Sequence, residues 1–411
     1  MFSMAARICC LDLDTFFVSV ERLLDPSLEG RPVVVGGRRG GRGVVTAASY
    51  EVREHGVRSG MSLQIASQLA PPDAVFLSTR HDTYGRYAKR VRAVLERFSP
   101  QVRTASIDEF YIDFSGCDRL YLEPDDRDGD ATIERTVRAM CAAIEEEIGL
   151  PASAGIGTRR VISKIASGRA KPAGVVLVPR GTEREFLVPL PVRTFPGIGP
   201  KAEMRMRSRG IETLGDLLCL PDGGLRRQLA RSIRAVEREA LGQGRGTLGR
   251  ERPAFQEHDP EGLKVGSISN ERTFFAALED EQRVLDQILA LAERVCWRAR
   301  KRHMRARTVT LKLRYTDFET ITRSLTGPPT NEEAVLLERL RTIYRKNRTR
   351  AVPIRLVGVA LSNLVTTSDQ LTLPFDRRRR IGDALDGVRL KYGYDAVRLG
   401  ASKPRRRREA D

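Results

Sequence analysis

No stretch of this 411-residue chain approaches the ~18 consecutive apolar residues needed to cross a bilayer as a helix. No charged segment followed by a long apolar one opens it, so neither a membrane span nor a secretory signal is expected. Cysteine is scarce: six residues, at 9, 10, 117, 141, 219 and 296, form no C-x-x-C pair, and no histidine stands where it would complete a zinc set. That spacing indicates neither a zinc site nor a disulfide framework, and it suits a reducing cytoplasm. Internal repeats are absent. Negative charge is also in short supply, with 53 Asp+Glu against 71 Lys+Arg for a net of +18. Residues 1–244 hold 36 basic and 31 acidic residues, a net of +5, whereas 245–411 hold 35 and 22, a net of +13. A field of that sign and asymmetry favours a polyanionic partner and salt-dependent binding.

What is present divides into segments. The length suggests two to four domains. Short runs rich in apolar and β-branched residues predict strands over 6–13, 107–114 and 152–157, and helical spacing predicts helices over 17–24, 84–98, 130–148 and 159–170. Two crossing helices among these strands imply a βαββαβ-type sheet with inserts. From about 190 the chain changes to short helices punctuated by Gly and Pro. A polar, Gly- and Arg-rich stretch over 242–262 has the composition of a linker. A second α/β unit follows, with strands expected at 264–269, 307–315 and 354–361 and helices at 278–302 and 331–347. The tail from 366 carries Arg-rich runs at 377–380 and 405–408 and is expected to be mobile beyond any docked segment.

The sharpest signal is two acidic islands in apolar runs: Asp12-Leu13-Asp14 within 8–17, and Asp108-Glu109 within 105–113. Burying an ionised carboxylate without a partner costs several kcal/mol. A lone D-x-D is more often satisfied by arginine or backbone N–H groups. Two islands in a basic chain instead fit a shared pair of divalent cations with oxygen ligands, as nucleotidyl transfer requires. Side-chain alternation puts Asp12 and Asp14 on one face and leaves Leu13 to offer its backbone carbonyl.

Other features surround these acids. Phe16 reads as core. Phe17 falls at the rim of the site, where a flat ring excludes a ribose 2′-hydroxyl. Tyr50 and Arg53, three residues apart, share a face of a helical turn. With Lys164 and Lys171 they form a set suited to a triphosphate. Pro196-Gly197-Ile198-Gly199-Pro200-Lys201 reads as a helix-hairpin-helix turn, in which Gly197, Gly199 and Lys201 hold a DNA phosphate independently of sequence. Gln370, Leu371, Leu373 and Phe375, in a QLTLPF segment of the charged tail, suggest a docking peptide or a return onto their own domain.

Taken in order, L-D-L-D-T-F-F (11–17), S-Y-E-V-R (49–53), G-V-R-S-G-M-S (56–62), S-I-D-E-F-Y (106–111), S-K-I-A-S-G-R-A-K-P (163–172), P-G-I-G-P-K (196–201) and S-I-S-N-E-R-T-F (267–274) resemble the Y-family DNA polymerases of the DinB type over roughly 5–366. The resemblance implies an α+β multidomain right hand. Its parts are a ferredoxin-like palm (1–21 and 80–171), small fingers (22–79), a helical thumb (172–243, helix-hairpin-helix 195–218), a linker (244–263), a C-terminal α/β little finger (264–366) and a basic tail (367–411).

It places Asp12 and Asp108 on metal-binding aspartates, Glu109 on the catalytic glutamate and Leu13 on a carbonyl ligand for two Mg²⁺ ions. Asp14 falls outside the principal metal set, in a supporting role. Phe17 matches the sugar discriminator, and Tyr50, Arg53 and Lys164 match triphosphate positions. The 370–375 segment is similar to a sliding-clamp peptide. The chain departs from the family at Ala47-Ala48-Ser49, at Gly157-Thr158-Arg159-Arg160, at Phe110, and at Pro374 within the clamp-like peptide. The implied activity is translesion DNA synthesis from dNTP on primer-template DNA, at low fidelity and without proofreading. The enzyme is expected as a cytoplasmic monomer with no membrane contact. The alternative is an inactive polymerase-like adaptor that binds DNA and the clamp.

Overall fold

The computed structural model describes residues 6–241, 243, 266–348, 350–366 and 377–398, the side chains of 118 and 377–380 excepted. The chain divides into two compact units, 1–257 and 258–411. Among the described residues no helix is long and apolar enough to cross a membrane. The clamp-like segment 370–375 and the linker stretch 244–263 lie outside the described residues.

The first unit is built on a five-stranded sheet ordered β5-β6-β1-β7-β8, from Val102–Thr104, Glu109–Asp113, Ile8–Leu13, Ala152–Gly157 and Val175–Leu177. Strand β1 runs antiparallel to both β6 and β7, so the order and directions are those of a ferredoxin-like βαββαβ sheet with β8 added at one edge. Alternation along β1 sorts its side chains. Cys9, Leu11 and Leu13 enter a core shared with helices α4 (His81–Phe98) and α6 (Gly129–Ile148). Ile8 and Cys10 face the opposite way, where Tyr111 joins them, and Asp12 follows in that series.

Between β1 and α4 come α1 (Phe16–Leu24) and a small subdomain. The latter is a three-stranded sheet, β3-β2-β4 (Ala47–Ala48, Val33–Val35, Val75–Leu77), with helices α2 (Tyr50–Glu54) and α3 (Leu63–Leu69). A one-turn helix α5 (Asp118–Tyr121) precedes α6. After β7, helix α7 (Arg160–Ala170) crosses the sheet. Its residues Ile162, Ile165 and Ala166 also enter a second core with α8 (Glu183–Leu187), α9 (Pro200–Arg207), α10 (Leu214–Leu218) and α11 (Gly224–Ala240).

The second unit is a four-stranded antiparallel sheet ordered β11-β10-β12-β9, from Thr320–Thr330, Met304–Tyr315, Ile354–Thr366 and Ser267–Leu278. Helices α12 (Glu281–Arg300) and α13 (Glu333–Asn347) cover one face around Val309, Leu311, Val357 and Val359. Two elements differ from the sequence reading. Strand β11 is absent from it, because this edge strand is polar and mostly exposed and shows no apolar alternation.

The tail, expected to be mobile beyond any docked segment, contains helix α14 (Arg377–Tyr392), docked on α12. The contact is made by charge. Arg389 and Glu293 pair with each other fully buried, and Arg300 donates to Asp386 at 2.7 Å and to Glu333 at 2.7 Å. The ring of Tyr394 lies 4.9 Å from that of Trp297, with the Arg389 and Arg294 guanidinium groups over it. Periodicity of apolar residues cannot reveal such a helix, since Ile381, Leu390 and Tyr392 point outward.

Candidate active site

Pairing of β1 with β6 sets Asp12 directly opposite Glu109. The Leu13 N–H donates to the Asp108 carbonyl at 2.9 Å, so the turn before β6 lies against the end of β1. The two acidic islands, almost a hundred residues apart in the chain, therefore meet at one end of two central strands. Asp12 and Glu109 stand on the face that α7 covers. The Ser106 hydroxyl bonds the Asp108 carboxylate.

Helix α7 approaches this face closely because β7 carries glycine. A Cβ on Gly155 would stand 2.1 Å from the Ser167 nitrogen and 2.2 Å from the Ser163 carbonyl. The Ser163 hydroxyl ties the helix to β1 by donating to the Ile8 carbonyl at 2.6 Å. Two lysines are thereby delivered onto the acids. Lys164 pairs with Glu109, and Lys171, just past the helix, pairs with Asp12 and lies 3.5 Å from Asp14.

Burial pushes the Asp12 carboxyl above its ordinary range, and Lys171 pulls it back. Burial works against charge on Lys164, but its bond to Glu109 leaves the ammonium above its usual value. Beneath them, burial pushes the Cys10 thiol up to about 12, which keeps it protonated and inert.

Among the described residues no three His, Cys, Asp or Glu side chains converge on a metal position as they stand. Asp12 and Glu109 are drawn to the lysines instead. The donor set nonetheless suits a hard divalent cation: three carboxylates, all oxygen ligands, carried at one end of β1 and β6, two of them already attracting ammonium groups.

Thr15 turns the chain from β1 into α1 through a left-handed conformation, φ 43°, rare for a residue with a branched side chain. Phe17 follows, half-buried, its ring stacked on Tyr84 with centroids 4.1 Å apart. Tyr84 is fully buried, and its hydroxyl donates to Glu21 at 2.5 Å; Arg80 pairs with the same carboxylate. Sequence reasoning missed this support. The available signal was Glu21, an acid on the apolar side of α1.

Tyr50 opens α2, which Ser49 caps by accepting from the Val52 N–H. The Arg53 guanidinium lies 5.1 Å from the Tyr50 ring centre, as their shared face requires, and its Nε donates to the Ala48 carbonyl at 2.9 Å. The Tyr50 hydroxyl donates to Asp14 at 3.2 Å. Burial, then the Asp14 charge, pushes this phenol up to about 12.

Gly197, Gly199 and Lys201 form the start of α9. Gly197 has φ +98°, a left-handed conformation that a side chain would strain; Gly199 caps the helix, and Lys201 is exposed in its first turn. Beside Lys164 opens a cavity of about 740 Å³. Tyr111, Arg160 and Val161 line one wall, and Pro196, Arg238 and Glu239 line another.

Two family models match the chain: the impB/mucB/samB family over residues 11–168 and the impB/mucB/samB family C-terminal domain over residues 265–373. Curated relatives include a DNA polymerase IV of Dehalococcoides mccartyi (strain CBDB1), 34% identical over 96% of this chain and 97% of that protein. Another, from Alkalilimnicola ehrlichii, is 38% identical over 89% and 97%. Among solved structures, a "Y-family DNA polymerase chimera Dbh-Dpo4(243-245)-Dbh" has the same fold with a TM-score of 0.71 and 22% identity, over 88% of this chain and 99% of that one. An "Insertion ternary complex of Dbh DNA polymerase" aligns at a TM-score of 0.59 and 22% identity over the same shares. With both halves matched by one family and full-length relatives above 30% identity, the chain belongs to the DinB-type Y-family DNA polymerases.

Proposed function

We propose that this protein is a translesion DNA polymerase that adds deoxynucleotides to a primer 3′-hydroxyl on a DNA template and releases pyrophosphate. The observation that carries this reading is the meeting of Asp12, Asp108 and Glu109 at one end of β1 and β6. Asp12, Asp108, Glu109 and the Leu13 carbonyl would hold two Mg²⁺ ions. When bound, such ions lower the pKa of an attacking hydroxyl and neutralise the leaving phosphates.

The remaining work belongs to the chain's own groups. Lys164 and Lys171 balance the acids until a nucleotide arrives, then offer their charge to its phosphates. The Arg53 fork and the Tyr50 hydroxyl hold the triphosphate. The Phe17 ring excludes a 2′-hydroxyl. Residues 1–21 and 80–171 serve as palm, 22–79 as fingers, 172–243 as thumb and 264–366 as little finger. Gly197, Gly199 and Lys201 grip a DNA phosphate, and Arg160 and Arg238, among the residues lining the neighbouring cavity, offer cations to the primer backbone. The reading includes low fidelity, no proofreading, a monomeric state in the cytoplasm, and docking of Gln370, Leu371, Leu373 and Phe375 on a sliding clamp.

Primer extension by Asp108→Ala tests the reading. Loss of about a thousandfold or more in rate with primer-template affinity retained is expected. Undiminished extension would overturn it.

A further inference from the structure

Asp14 has no part in the mechanism above, yet three hydrogen bonds and an ion pair converge on its carboxylate. It lies one residue beyond β1 and is 1% exposed. Its Oδ2 accepts from the Ser153 hydroxyl at 2.6 Å and from the Ala173 backbone N–H at 2.8 Å. Its Oδ1 accepts from the Tyr50 hydroxyl at 3.2 Å and faces the Lys171 ammonium at 3.5 Å. An ionised carboxylate offers about four acceptor directions. Four donors occupy them, so nothing remains for a metal ion or a substrate.

The two oxygens do different things. Oδ2 is spent on the scaffold, a serine of β7 and a fixed backbone N–H. Oδ1 is spent on two side chains that carry chemistry, one from the start of α2 and one from the segment after α7. The carboxylate is thus anchored on one side and free to orient side chains on the other.

We propose that Asp14 is a positioning residue that holds the Tyr50 hydroxyl and the Lys171 ammonium together for the triphosphate of the incoming nucleotide. The proposal rests on the reading that Tyr50 and Lys171 contact that triphosphate. Before the nucleotide arrives, Asp14 keeps both donors in place. The phenol hydroxyl then turns about its C–O bond to donate to a phosphate oxygen, keeping its proton, and the ring stays where Asp14 set it.

Asp14→Asn separates this from a merely structural role. The immobile Ala173 N–H claims the amide oxygen, which leaves the amide NH₂ against the Lys171 ammonium, donor against donor, and able to hold Tyr50 only by donating to its phenol oxygen, which turns that hydroxyl away. The expected result is a KM for dNTP raised about tenfold, with kcat changed much less. The increase should shrink in a Tyr50→Phe background, because residues that act through one another are not additive. Equal increases in the wild-type and Tyr50→Phe backgrounds, or an unchanged KM, would overturn the proposal. If Tyr50→Phe and Lys171→Met alone leave KM unaltered, the triphosphate assignment fails instead, and the inference falls with it. Asp14→Ala, which removes the acceptor without adding a donor, carries the same cycle if the asparagine variant does not fold.

Discussion

Phe17 and Tyr84 lie ring against ring, 4.1 Å between centroids and 16° from parallel. Tyr84 cannot retreat, since it is fully buried and its hydroxyl is bonded to the equally buried Glu21. The ring proposed to exclude ribonucleotides therefore has a rigid backing.

That backing predicts a graded effect on sugar selection. Phe17→Ala should admit ribonucleotides outright. Tyr84→Leu should relax selectivity by roughly two- to tenfold, the worth of one aromatic stack of about 0.5–1.5 kcal/mol. Tyr84→Phe keeps the ring and should keep most of the selectivity. Competing incorporation of rNTP and dNTP opposite one template base measures all three, and unchanged sugar choice in Phe17→Ala would remove the assignment.

The pairing of Lys171 with Asp12 predicts a pH effect. Burial raises the Asp12 carboxyl and Lys171 opposes that rise. Without the ammonium the folded-state pKa must climb further, so the ionised form needed for a cation appears only at higher pH. Lys171→Met should shift the acidic limb of the rate profile to higher pH. A limb that stays in place or moves down would contradict this account.

At Gly155 the prediction concerns stability and activity together. A methyl group there would strike backbone atoms of α7 at 2.1 and 2.2 Å, and backbone cannot step aside as a flexible side chain can. Gly155→Ala should cost about 1–3 kcal/mol or more and, by lifting α7, separate Lys164 from Glu109. Denaturant unfolding reads the first effect and primer extension the second. A variant as stable and active as wild type would show that the helix can shift freely.

Arg389 and Glu293 supply the fourth prediction. With both side chains fully buried, removing Glu293 leaves the Arg389 guanidinium with Asp386 at 3.4 Å and the Val397 carbonyl, and removing Arg389 takes a buried cation from Glu293. Glu293→Leu or Arg389→Met should destabilise the second unit by about 3–5 kcal/mol, while the double replacement should recover most of the loss. Thermal unfolding of the full chain distinguishes these cases; equal damage in single and double variants would assign the cost to packing.

The parts of this molecule that show in the sequence are those made by local pattern. Strands β1, β6 and β7 are short apolar runs, and Asp12, Asp108 and Glu109 stand out because such runs seldom carry acids. The shared face of Tyr50 and Arg53 follows from spacing, whereas the role given to Phe17 rests on the family resemblance. What stays hidden depends on distant segments meeting. Asp14 looks like a ligand by its alternation with Asp12, and only the approach of Ser153, Ala173 and Tyr50 turns it inward. Strand β11 has polar residues on both faces, and α14 buries an arginine while exposing Leu390 and Tyr392. A pattern built on apolar burial is silent on both.

Helix α14 begins at Arg377, after the last residue matched by the family's C-terminal model, 373. Its partner Glu293 lies inside the matched region, on α12, buried against Arg389 of α14. The two positions should therefore be inherited as a unit. Relatives that lack this helix should carry an apolar or small residue where Glu293 stands, and a chimera that exchanges the second unit should cross over after 398 rather than before 377.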